Sequence, residues 1–192
     1  MKLESEAYSE EEFQNLSLPQ KDLSKKEFLN CTFKKCDFNE CKFSGSVFID
    51  CQFQNCNLSN IKIDTCSFQN VLFENCKLVG VIFATINTLL IDWEFKECII
   101  ELCSFSRLDI KNSNFLECTI RETDFINTNL TGSNFSKSDL HASKFQNTNL
   151  EKANLTGARN YYIDPTQNKL KKAKFSQPEV LSLLAGFEIE IE

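Results

Sequence analysis

The 192-residue chain carries 21 Lys and Arg against 27 Asp and Glu, a formal net charge of −6, together with 18 Phe, 10 Cys and only 5 Gly. That balance disfavours nucleic acid as a direct ligand, because phosphate binding needs a basic surface. No stretch approaches the roughly 18 uninterrupted apolar residues of a membrane span.

The first twelve residues hold five glutamates and no apolar run. They read as an acidic tail (1–12), not a secretory signal, and the protein is expected in the cytoplasm. From Phe13 a repeat sets in. Every fifth residue from Phe28 to Phe83 is Phe, Leu or Ile, and Phe13, Leu18 and Leu23 extend the series backward. Two residues before each of these sits a second lattice of mostly small residues, beginning Cys31, Cys36, Cys41, Ser46, Cys51, Cys56, and all ten cysteines fall on it. Between the two lattices lies a short polar residue such as Asp37, Asn57 or Asn134.

Residues 84–94, ATINTLLIDWE, abandon the pattern, and Trp93 takes what should be a small-residue position. The series then resumes two residues out of register and runs from Phe95 to Leu155. The repeat region is placed at 13–158 and a C-terminal module at 159–192. In that module Ser176 and Glu179 have capping-box spacing, with Pro178 in the first turn and Gly186 as a stop. A helix over about 178–185 would present Val180, Leu181, Leu183 and Leu184. A period-two strand with Phe187, Ile189 and Ile191 on one face would follow.

A period of five fits neither a helix at 3.6 nor a strand at 2. It fits a chain that turns a corner every five residues, with one large and one small side chain per wall filling a square tube. The expected fold is all-β, a quadrilateral β-helix. Four walls make a 20-residue coil, and coils stack at about 4.8 Å, so roughly six of them give a rod about 30 Å long.

The pattern of a small residue, Asn or Asp, Leu or Phe, then two variable residues resembles the pentapeptide-repeat family over about 13–158, and right-handed coiling is implied by that resemblance. The interruption at 84–94 and the non-repeating tail are similar to those of the quinolone-resistance (Qnr-type) and microcin-immunity members. The resemblance implies a protein that engages and protects the type II topoisomerases DNA gyrase and topoisomerase IV, one view being that an acidic rod mimics duplex DNA. It also implies a tail-to-tail homodimer, here through Leu181, Leu184, Phe187, Ile189 and Ile191. The residues alone leave open whether this module joins two chains or only caps the last coil.

The candidate partner-binding residues are the mid-rod acids Asp92, Glu94, Glu97, Glu101, Glu117, Glu122 and Asp124 with Leu89, Leu90 and Ile91 of the interruption. Glu97 and Glu117 lie 20 residues apart and should stack one coil apart. As an electrostatic copy of DNA, with one charge per about 1.7 Å, the rod is poor. Outward Ile99 and Leu102 form a patch with the interruption, either packed beneath it or offered to a partner.

Chemistry finds little purchase. The cysteine spacing contains no CxxC pair and His141 is the only histidine, whereas a zinc site needs about four convergent ligands. Stacked cysteines would hold their Cβ atoms nearly 5 Å apart, against about 3.8 Å in a disulfide, so they read as small buried packing groups. No nucleophile–base set or phosphate loop can be assembled by spacing. The expectation is a binding protein without metal or cofactor, and not an enzyme. The alternative is a scaffold for some other protein partner.

Overall fold

The computed structural model describes residues 3–187, 189 and 190. The chain is a right-handed quadrilateral β-helix of about eight parallel turns with one short C-terminal helix. Its four walls are columns of residues 20 apart. The first wall is the sheet of Ala7–Ser9, Glu27–Leu29, Val47–Ile49 and Ser67–Gln69. The second runs through Glu12–Gln14, Thr32–Lys34, Gln52–Gln54, Val71–Glu74, Trp93–Lys96 and Asn114–Leu116. The third contains Lys77–Val79, Ile99–Glu101 and Thr119–Arg121. The fourth is held by bridges such as Asp22↔Lys42, Ile82↔Ser104 and Asp124↔Lys144.

The coil count exceeds the expected six because both ends join the tube. Leu3 and Tyr8, inside the expected acidic tail, are buried, and Tyr8 stacks on Phe28 at 5.3 Å. At the other end Tyr161 and Ile163 are buried and Asn154–Leu155 pairs with Lys174–Phe175.

Each part of the repeat has a physical task. The large residues form ring ladders whose spacing is the coil spacing, for example Phe33–Phe53 at 4.8 Å and Phe115–Phe135 at 4.8 Å with 2° between planes. The Asn or Asp before each large residue accepts from the amide two positions on, as Asp37 Oδ1 does from Asn39 N and Asn129 Oδ1 from Thr131 N, and so starts the turn. Some of these side chains also bond along the column: Asn57 Nδ2 donates to Asp37 Oδ1 at 2.9 Å.

Corners fall two residues after each large one, in left-handed backbone with φ from 47° to 72°. Asn tolerates that region, which explains Asn15, Asn30, Asn55, Asn70, Asn75 and Asn112 there. At Gly132 (φ 72°) a Cβ would in addition stand 2.5 Å from Asn112 Oδ1.

The small lattice does more than fill space. Its thiols and hydroxyls donate to the carbonyl of the large residue 23 positions earlier: Cys51 Sγ to Phe28 O at 3.3 Å, Ser46 Oγ to Leu23 O at 2.9 Å, Thr148 Oγ1 to Phe125 O at 2.7 Å. All ten cysteines are free and buried. Cys, Ser and Thr at these positions therefore combine small size with a further donor to an interior carbonyl, as at Phe125 O, which also accepts from Thr128 N.

The C-terminal helix is a 3-10 helix over Glu179–Phe187. The anticipated capping box is not used as one. Ser176 Oγ accepts from Gly157 N at 2.8 Å and Glu179 Oε1 from Asn160 N at 2.7 Å, so both tie the helix to exposed amides at the end of the coil. Phe187, expected in a strand, ends the helix; Ile189 and Glu190 are in neither helix nor strand, and Ile191 lies outside the described residues.

Candidate partner-binding surface

The interruption is a widening of one coil by two residues. Before it, neighbours are 20 apart; across it, Val71 pairs with Trp93 and Phe73 with Phe95. Asn87 N still donates to Cys66 O in the ordinary register, so the extra residues lie between Asn87 and Trp93. They end the first wall's sheet at Ser67–Gln69 and remove its next inward large side chain.

Trp93 refills the tube. Its indole is 1% exposed and contacts Phe83 at 5.3 Å and Phe95 at 6.0 Å, with an edge-on approach to Phe68 at 6.4 Å. Its Nε1 donates to Phe68 O at 3.2 Å, the bond that a small-lattice thiol or hydroxyl makes elsewhere. With the interior closed, the loop projects outward: Leu89 and Leu90 are 63% and 68% exposed, the most exposed large apolar residues among those described. Ile91 is instead half-buried against the core.

The seven acids do not share a wall. Asp92 follows the loop at the corner of the first and second walls, and Glu94 stands on the second beside Leu72 and Asn114. Glu97 and Glu117 occupy the corner between the second and third walls, stacked as their spacing requires. Their repulsion is relieved: Lys137 Nζ lies 2.8 Å from Glu117 and Lys96 Nζ 4.0 Å from Glu97. The hydrogen bond and charge of Lys137 hold the Glu117 carboxyl below its ordinary range. Glu101 is on the third wall, ladder-paired with Arg121. Glu122 and Asp124 lie at the third–fourth corner and on the fourth wall, with Lys144 3.4 Å from Asp124.

Ile99 and Leu102 are likewise separated from the loop. Ile99 is on the third wall, opposite the first, and Leu102 turns the next corner. Leu102 instead lines a groove with Ile82, Ser104, Glu122, Asp124, Ala142 and Lys144. The surface therefore offers two patches: an apolar loop tip flanked by Asp92 and Glu94, and an acidic groove with Ile82 and Leu102. The two-residue shift places Leu102 one coil above Gly80, while Ile82 is bridged to Ser104.

At the C-terminal end Leu181, Leu184, Phe187 and Ile189 are 46%, 37%, 49% and 54% exposed, near Tyr162 at 59%. Leu183 packs inward.

Four thiols, Cys41, Cys51, Cys66 and Cys103, are chemically quiet. Burial, the largest cause, pushes Cys41 up to about 11 and Cys51, Cys66 and Cys103 up to about 12. They stay protonated near neutrality and keep the S–H that bonds the carbonyls. Among the described residues no group of three His, Cys, Asp or Glu side chains could hold a metal ion. No helix among them is long and apolar enough to cross a membrane.

A family model described as "Pentapeptide repeat region" matches residues 26–89 and 86–155. Among solved structures, a trypsin-treated form of QnrB1, described as a plasmid-mediated fluoroquinolone resistance protein, superimposes with a TM-score of 0.74 at 18% identity, over 97% of this chain and 98% of that one. Full-length QnrB1 gives 0.59 at 16% identity, over 93% and 100%. At such identities the likeness shows the fold. No curated protein matches in sequence.

Proposed function

The chain belongs to the pentapeptide-repeat family, and from that premise we propose that it is a cytoplasmic, dimeric binding protein that engages a type II topoisomerase, DNA gyrase or topoisomerase IV, and modulates or protects it. The observation that carries this reading is a Qnr-like rod along nearly the whole chain, with the QnrB1 likeness covering 97% of it. Contact is made by the loop tip at Leu89 and Leu90 with Asp92 and Glu94, and dimerisation by Leu181, Leu184, Phe187 and Ile189. Specific side chains, not an overall copy of DNA charge, carry recognition: the acids are spread over several walls, and Glu97, Glu117 and Asp124 are already paired with lysines.

Binding is favoured over catalysis. The nucleophilic thiols are buried and hydrogen-bonded, and His141 stands alone on an exposed wall position. The test is gyrase supercoiling with and without a fluoroquinolone, comparing the protein with a Leu89→Ser/Leu90→Ser variant. Protection or inhibition by the parent and its loss in the variant support the reading. No effect of the parent at any concentration, in either condition, ends it. A scaffold role toward a different protein would then be pursued by pull-down from the native host.

A further inference from the structure

The overall charge of −6 conceals a local basic run near the end of the rod. The first coil carries Glu4, Glu6, Glu10, Glu11 and Glu12 with no base between residues 3 and 12. The last carries Lys169, Lys171, Lys172 and Lys174 with no acid between 168 and 174, a local run within a C-terminal region, 151–192, whose six bases and six acids balance. Register converts that run into a compact patch. Lys172 sits at the first–second corner directly above Lys152, both in left-handed backbone, and Lys152 N donates to Lys171 O at 2.9 Å. Lys169 pairs with Asn149 on the first wall and Lys174 with Asn154 on the second. Lys152, Lys171 and Lys172 line one groove with Glu151. All five lysines are exposed, and none forms an ion pair among the described residues.

We propose that this corner of the last two coils binds the phosphate backbone of duplex nucleic acid. The acidic end does not veto it. About eight turns at about 4.8 Å set the two ends roughly 35 Å apart, several Debye lengths at 0.1 M salt, so a ligand at one end responds to the local charge. In sequence the lysines are flanked by the amide of Asn149 and the hydroxyl of Thr156, donor types that accompany lysine on phosphates. An anionic membrane fits less well, because a basic patch anchors stably only with an apolar partner. Leu150, Ala153 and Leu155 beneath this patch are buried, and the helix that carries the exposed apolar residues of the module is tied to Gly157 and Asn160.

Fluorescence anisotropy with a labelled duplex of about 20 base pairs, at about 50 to 200 mM salt, decides the matter. Engagement of four to five lysines predicts a log–log salt slope near −4, a weakening of about 150-fold or more across that range. Lys171→Glu/Lys172→Glu should abolish binding at 200 mM and weaken it at least about 30-fold at 50 mM. Lys21→Glu/Lys35→Glu, which changes the net charge equally at the other end, should change it less than about twofold. Circular dichroism checks the fold of both variants, and the milder Lys152→Gln/Lys174→Gln pair should give an intermediate loss. Absence of saturable duplex binding at 50 mM, equal losses in the two charge-reversed pairs, or binding only to vesicles containing anionic lipid would each overturn the proposal. Because the readout contains no topoisomerase, its failure and that of the proposed function are separate results.

Discussion

The indole Nε1 of Trp93 donates to the carbonyl of Phe68, 25 residues earlier, at 3.2 Å. Cys98 and Cys103 span the same 25 residues to reach Phe73 O and Leu78 O. One aromatic side chain thus supplies both the volume that the widened coil lost and the donor that the repeat requires at that place. The two tasks can be separated by mutation.

Trp93→Phe keeps most of the bulk and removes the donor, leaving a buried carbonyl unpaired at a cost of about 1–3 kcal/mol. Trp93→Cys restores a lattice donor and empties the corner, costing about 3–5 kcal/mol. Urea unfolding of both variants checks the order. A cysteine variant as stable as the phenylalanine one would show that the corner is not held open by the indole.

Four of the buried thiols set an alkaline limit. Their folded pKa values are raised, to about 11 at Cys41 and about 12 at Cys51, Cys66 and Cys103. Below the ordinary thiol pKa both states are protonated and the thiols' contribution is complete. As pH rises from about 9 toward 12 the unfolded chain releases protons that the folded chain retains, and stability falls. Thermal melting across that window should show a steady loss. Cys51→Ser, which keeps the donor without titrating in this range, should reduce it. A flat profile would mean that the thiols are not enclosed as the structure has them.

Asp139 is 3% exposed and accepts from Arg121 at 2.9 Å and Asn160 at 2.7 Å. Burial works to raise its pKa, but the bonds from Asn160 and Arg121 prevail and hold it below the ordinary carboxylate value. Its contribution is therefore present above that value and lost as pH falls through the folded one. Asp139→Ala should cost about 0.5–1.5 kcal/mol at neutral pH by removing two bonds whose donors, Arg121 and Asn160, are themselves exposed, and should flatten the acid limb below about pH 4. Chemical denaturation from pH 3 to 7 tests both points.

The exposed side chains of the C-terminal helix predict a dimer of the 22.1 kDa chain. Leu181→Glu/Phe187→Glu should yield a monomer by light scattering, with the β-helix signal in circular dichroism retained. A parent protein that is already monomeric at micromolar concentration, with a variant that merely melts earlier, would assign the helix to capping its own coil.

Much of this molecule is legible in one dimension. Phe at every fifth position and Cys two residues earlier dictate the square tube, since no other backbone places those side chains inside. Tyr8 and Leu3 continue the same spacing below Phe13, but Glu6 and Glu11 on the small lattice obscure them. The thiol-to-carbonyl bonds stayed hidden, because partners 23 residues apart meet only once the coil closes. The capping-box spacing of Ser176 and Glu179 gave the wrong partners for a similar reason: the amides of Gly157 and Asn160, left open at the end of the rod, compete successfully for the same oxygens.

The periodicity alone determined what faces inward, because inward positions are fixed by local spacing within each five-residue wall. Which outward residues become neighbours was decided only by the tertiary structure. Two extra residues between Asn87 and Trp93 advance every later position, so that Leu102 follows the coil above Gly80 and Ser104, not Leu102, is bridged to Ile82. Lysines that look like a short run in sequence become a patch on two coils. Outward contacts depend on the summed length of a closed coil, a nonlocal quantity, and so on where the chain has widened.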